Sequence, residues 1–165
     1  MKELIPTINE IAKYGLQPNL AITDKEKLLE KDLIKIYSLY FDIKFDFDGT
    51  SYTAFDKTNL PNIRQNIESN FKDFGFYKTI LDNNDIDNLQ DNAIGDAIDD
   101  LNDIIIDLLE IKWRTENCSL ADGLWFFELT FYSHIQQHIL DILNYMKQKN
   151  GWRKINSRAI SLEKT

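Results

Sequence analysis

A single cysteine, Cys118, and no long apolar run mark this chain. One cysteine excludes an intrachain disulfide and a cysteine-rich zinc site. No stretch approaches about 18 uninterrupted apolar residues, so no membrane-spanning helix is expected. The opening MKELIPTINEIAKYG places Glu3 and Glu10 where a signal peptide needs a continuous apolar core. Together these absences fit a reducing, cytoplasmic setting.

Positive charge is short as well. With 19 Lys and Arg against 27 Asp and Glu, the net charge is −8 and the pI about 4.7. A general basic face for nucleic acid or anionic lipid is therefore not expected. Charge of this size keeps a small protein soluble and steers it toward cationic partners. The basic-aromatic cluster Trp152, Arg153, Lys154 and Arg158 reads as part of a solvated C-terminal tail over 151–165. Familiar catalytic signatures are missing too: there is no P-loop, no GxGxxG and no GxSxG. Asp46-Phe47-Asp48-Gly49 suggests a calcium loop, but with Gly49 in the sixth position the first is Lys44 and the twelfth Phe55, not acids.

What the chain does have is core material. Hydrophobic residues make up 43% and aromatics 12% of its 165 residues, enough for one buried core over 1–150. Thr7 with Glu10, and Thr23 with Glu26, have capping-box spacing and predict helix starts. Gly15 is expected to end the first helix in the left-handed conformation. From Asp24 a second helix carries Leu28, Leu29, Leu33, Ile36, Tyr37 and Tyr40 in register. Ile43, Phe45 and Phe47 alternate with polar residues, yet no second strand pairs with them, so an irregular stretch is expected there. Pro61 suits the first turn of a helix running through Ile63 and Ile67 toward Phe71. A short helical piece is predicted at 76–81 and a polar loop at 82–92. Two long helices follow, 93–116 and 120–149, the second stopped by Asn150-Gly151. The fold class is all-α: a single-domain bundle of four to six helices, its two long C-terminal helices packed antiparallel.

Those two helices hold the candidate chemistry. At about 100° per residue, Asp96, Asp100, Asp103, Asp107 and Glu110 form one narrow stripe opposite Ile98, Leu101, Ile104, Ile105, Leu108 and Leu109. The stripe is either a solvated face, a surface for a basic partner, or a carboxylate row for a cation. His134 and His138, the only histidines, stand four apart on one helix face, a spacing that zinc-binding helices use; the other reading is that both simply hydrogen-bond at a helix–helix boundary. Ile135 follows His134, so the His-Glu-x-x-His form with its general base is absent. Asp141 and Tyr145 fall beside the pair, and Asp141 is placed to orient an imidazole. Glu128 projects into the apolar face with Ile135, Ile139 and Met146, where a carboxylate needs a partner, Lys112 or Arg114, or is a general acid or base. Trp113, Trp125, Phe126, Phe127, Phe131 and Tyr132 recur at helical spacing and are expected in the core.

The residues Asp99, Asp100, Leu101, Asp103, Ile104, Asp107 and Leu108, then Trp125, Phe131, His134 and His138, resemble the domain-of-unknown-function family numbered 5063. The resemblance implies a small helical bacterial protein and no particular activity. Ile105 and Ile135 stand where that pattern has Tyr and Trp.

The leading functional expectation is a non-enzymatic protein that meets a basic partner protein through Asp96, Asp100, Asp103, Asp107 and Glu110, in the manner of an immunity protein, with no cofactor. The alternative is a metal-dependent or acid/base enzyme between the two long helices. There His134 and His138 are the ligands of a divalent metal, Asp103 or Asp107 completes the set, and Glu128 is the base. A third reading is a subunit that pairs with its own copy.

Overall fold

The computed structural model describes residues 2–80 and 92–162; for Asn92 and residues 152–162 it describes the backbone alone. The run 81–91, most of the expected polar loop, lies outside the described residues, as do the side chains of the Trp152–Arg158 cluster.

Helix α1 spans Leu4–Leu16 and buries Leu4, Ile8, Ile11, Ala12 and Tyr14. It begins before Thr7, whose hydroxyl donates back to the Glu3 carbonyl instead of capping the helix. Gly15 is not a left-handed terminator, since no described glycine has a positive φ. Its role is contact: a Cβ there would stand 2.6 Å from Ile63 Cγ2 and 3.1 Å from Ile105 Cγ2. Helix α2, Lys25–Asp42, buries Leu29, Leu33 and Ile36. The expected Thr23–Glu26 box is not its cap, because Asp24 takes a left-handed φ of 56° at that point and Glu26 instead holds Lys149 and Asn150 of the last helix.

Residues 43–56 form no regular element, as expected. A 3₁₀ turn at Lys57–Asn59 leads to α3, Ile63–Asn70, capped by Asn62, which accepts from the Gln65 N–H. Asn70 then fastens α3 to α1. Its Oδ1 accepts the Leu20 N–H at 2.8 Å, while Nδ2 reaches the Tyr14, Gln17 and Asn66 carbonyls at 2.9, 2.7 and 3.0 Å. The first two are carbonyls at and just beyond the end of α1, which a helix cannot satisfy by itself.

The helical piece predicted at 76–81 is a strand. Strand β1, Phe76–Ile80, pairs antiparallel with β2, Asn92–Asp96, with Tyr77 opposite Gly95. Phe-Tyr-Lys-Thr-Ile alternates exposed and half-buried residues, the two-residue period of a strand. Pairing with β2 also delays the next helix from 93 to Ala97.

Helix α4, Ala97–Asn117, is central: it packs on α1, on α3 and on the C-terminal rod. That rod is α5, Leu120–Thr130, a π-helical segment, Phe131–Ile135, and α6, Gln136–Leu162, without a break. Asn150-Gly151 permits a stop but does not impose one, and α6 runs on past it. The rod returns antiparallel along α4, and the two long C-terminal helices pack on each other. Ile104, Ile105, Leu108, Phe127, Phe131, Ile135, Ile139 and Ile142 are fully buried between them and α1 or α2. Each such side chain contributes on the order of 2 kcal/mol by leaving water. Of the expected core aromatics, Phe127 and Phe131 are buried, whereas Tyr132 is exposed. No described helix is long and apolar enough to cross a membrane.

Candidate metal centre

The acidic stripe of α4 does not face solvent along its length. Asp100, Asp107 and Glu110 are buried beneath neighbouring elements, and buried carboxylates need partners. At one end Asp96 caps α4 through the Ile98 N–H and pairs with Arg64 at 2.7 Å, which also holds Asp99 at 2.6 Å. At the other, Glu110 is clasped by Arg114 at 2.9 Å and Lys57 at 3.4 Å, and Arg114 continues to Asp122. These two ends are structural.

The middle of the stripe meets the histidines. Asp107 Oδ2 lies 2.7 Å from His134 Nδ1, and Asp100 Oδ1 lies 2.8 Å from His138 Nδ1. An ionised carboxylate only accepts, so each ring donates through Nδ1 and turns Nε2 away from its aspartate. The two Nε2 atoms then face each other at 3.0 Å, on rings 88° apart. Asp103 stands between the flanking aspartates on the same face, its Oδ2 3.9 Å from His138 Nε2. One donor atom from each of Asp103, His134 and His138 falls within a sphere where all lie within 4.8 Å of one another. The spacing explains itself: three acids at i, i+3 and i+7 face two histidines at i and i+4 on an antiparallel helix. The outer acids grip the outward nitrogens, and the middle one faces the gap.

Two bare nitrogens 3.0 Å apart repel unless a cation sits between them, either a proton or a metal ion. Two nitrogens each about 2.1 Å from one ion stand roughly 3.0 Å apart at a right angle and roughly 3.4 Å apart in a tetrahedron, so the rings need little movement to share an ion. The Asp100 hydrogen bond, aided by the charges of Asp100, Asp103 and Asp141, raises the His138 pKa above its ordinary value, against an opposing effect of burial. The centre opens outward, since the His134 side chain is 46% and Asp103 37% exposed, while Asp100 and Asp107 beneath them are 11% and 13%.

The π segment sets this geometry. The Gln136 N–H bonds to the Phe131 carbonyl five residues back, so one turn holds an extra residue and the helix beyond it is rotated by about 100°. A wheel drawn straight through 131–135 therefore misplaces what lies on either side. Lys112 and Arg114 pair with other acids, and Glu128 is half-buried. It accepts from Tyr40 of α2 at 3.1 Å, whereas the histidines face α4. Asp141 does not orient an imidazole; Gln137 donates to it at 3.1 Å. Tyr145 bonds Gly75 and Asp73 at the base of β1.

Sequence reasoning missed Tyr77. From β1 its hydroxyl donates to Asp100 Oδ2, the oxygen that His138 leaves free. Gly95 opposite makes room, since a Cβ there would stand 2.3 Å from Tyr77 Cζ. Reading 76–81 as helix hid this residue; the strand alternation was the signal that could have revealed it. A groove of about 1180 Å³ elsewhere, between Lys25, Asn70 and Met146, includes neither histidine.

The architecture is thus a small helical bundle with two buried aspartates beneath a partly exposed pair of imidazoles on its longest helix pair. No protein-family model, curated protein or solved structure matches the chain.

Proposed function

We propose that the protein binds one divalent transition-metal ion through His134, His138 and Asp103, leaving coordination positions open to water or a ligand. The observation that carries this reading is the pair of Nε2 atoms aimed at each other at 3.0 Å while both Nδ1 atoms are held by aspartates. Carboxylate–histidine pairs of this kind orient imidazoles for a metal and raise their basicity. The π segment that carries His134 adds support, because such insertions cost regular hydrogen bonding and recur at functional sites. Imidazole with carboxylate suits Zn²⁺ and its neighbours in the first transition row. Three protein ligands and an open position match the ligand count of catalytic ions rather than structural ones, and an ion so held polarises what it binds or acidifies its water. Glu128, bonded to Tyr40 on α2, is not proposed as the base.

The test is titration of the chelator-treated protein with Zn²⁺, Co²⁺, Ni²⁺ and Mn²⁺ by calorimetry. One ion per chain is expected, with binding lost in His134→Ala and His138→Ala variants of unchanged helical content. Failure of every ion to bind would overturn the reading and leave a shared proton as the cation between the rings.

The net charge of −8 favours a second reading, docking on a basic protein. The stripe from Asp96 to Glu110 lends it little, since Asp96, Asp100, Asp107 and Glu110 are engaged within the chain. Capture of a basic protein at low salt and its release at high salt would support it.

A further inference from the structure

We infer that Tyr77 is a positioning residue of the metal centre, acting on the ion through Asp100 and His138; this rests on the metal-binding reading above. The chain of contacts is continuous. Tyr77 Oη donates to Asp100 Oδ2, Asp100 Oδ1 accepts from His138 Nδ1 at 2.8 Å, and His138 Nε2 faces the proposed ion.

Asp100 sits on α4 with a side chain of two rotatable bonds. One hydrogen bond from His138 leaves its carboxylate free to turn about that contact, and the imidazole with it. A second donor on the opposite oxygen removes this freedom. The strand hairpin supplies the donor, and its construction serves that end: Tyr77 is on the inward face of β1, Gly95 across the ladder clears space for its ring, and the ring packs on Tyr145 at 5.5 Å between centroids. Tyr145 in turn anchors the start of the hairpin through the Gly75 N–H and the Asp73 carbonyl. The only described β-structure is therefore a bracket that holds one phenol against one carboxylate.

Partners that orient metal-bound histidines are worth about 10–100-fold in metal affinity when they touch the ring directly. Tyr77 is one bond further away, so the expected loss in Tyr77→Phe is about tenfold or somewhat less. Phenylalanine keeps the ring that Gly95 accommodates, so folding is retained. A purely structural role would lower affinity independently of Asp100, and a double-mutant cycle separates the two. If Tyr77 acts through Asp100, then Asp100→Asn alone weakens binding and Tyr77→Phe adds nothing in that background. The measurement is Co²⁺ affinity and visible spectrum for the parent, both single variants and the double variant. Weaker binding in Tyr77→Phe, a displaced d–d band and non-additivity support the inference. Co²⁺ binding by the parent with Tyr77→Phe unchanged, or with losses that simply add, overturns it and leaves the metal reading standing. A parent that binds no ion overturns the metal reading itself.

Discussion

Asp107 Oδ2 lies 2.7 Å from His134 Nδ1, and that contact determines which nitrogen of the ring faces His138. With Nδ1 protonated toward the aspartate, the free lone pair is on Nε2, the atom aimed at the neighbouring ring. Replacing the carboxylate by an amide removes the charge that favours this tautomer while keeping the volume. Asp107→Asn is expected to weaken Zn²⁺ binding by about 10–100-fold, read by competition with a chromophoric chelator. Equal affinity in the variant would mean that packing alone holds the ring.

Metal binding should appear as stability. An ion that binds only the folded chain adds about 2.7 kcal/mol at one hundred times its dissociation constant. For a chain of this size that is a rise in Tm of roughly 5–11 °C. Differential scanning fluorimetry with and without Zn²⁺ measures it, and His138→Ala should abolish the shift. A shift that survived in that variant would place the ion elsewhere.

The helical fold was legible because its apolar residues keep a 3.6-residue period: Leu29, Leu33 and Ile36 on α2 and Ile104, Ile105 and Leu108 on α4 are buried as their spacing requires. The same period put His134 with His138 on one helix face and Asp100, Asp103 and Asp107 on one face of another. Which acid meets which ring was not legible, because it depends on how the two helices pack. A straight wheel also cannot register the extra residue in the turn 131–135, which changes how Glu128 stands relative to the residues beyond that turn. Tyr77 was hidden because a five-residue strand has no stability of its own, and its meaning lies in a partner, β2, that the sequence presents as the start of a helix. The inward turn of the acidic stripe depends on which helix covers it, a tertiary fact that no periodicity contains.

Asn70 is the polar fastening between α1 and α3, and it is 7% exposed. Its amide serves the Leu20 N–H and the Tyr14, Gln17 and Asn66 carbonyls at once. Removing one partner of a buried hydrogen bond strands the other at about 1–3 kcal/mol. Asn70→Ala leaves several stranded, although some regain water, so a loss of about 2–4 kcal/mol is expected. Urea denaturation measures it. A loss below 1 kcal/mol would mean that water replaces the amide without cost.

Tyr14 presents the opposite case. Its ring is fully buried between α1 and Phe71, yet its hydroxyl is the one buried side-chain polar atom among the described residues without a hydrogen-bond partner. Burying an unpaired hydroxyl costs about 1–3 kcal/mol. Tyr14→Phe should therefore stabilise the protein by about 1 kcal/mol or more, since the ring packing is kept. Burial, reinforced by the nearby Asp32 and Glu10 carboxylates, also pushes the phenol pKa up to about 12 from 10.0. The sign follows from the proton count. Below pH 10 the phenol is neutral in both states and the folded chain loses nothing. Between pH 10 and 12 the unfolded chain releases the proton and the folded chain keeps it, so stability falls as pH rises. Two pKa units correspond to a loss on the order of 2–3 kcal/mol, and the Phe variant escapes it. The stability gap between Tyr14→Phe and the parent should therefore widen from neutral pH to pH 12, as measured by urea unfolding at each pH. A constant gap would show that the hydroxyl ionises as easily in the folded chain as in the unfolded one, and so that water reaches it.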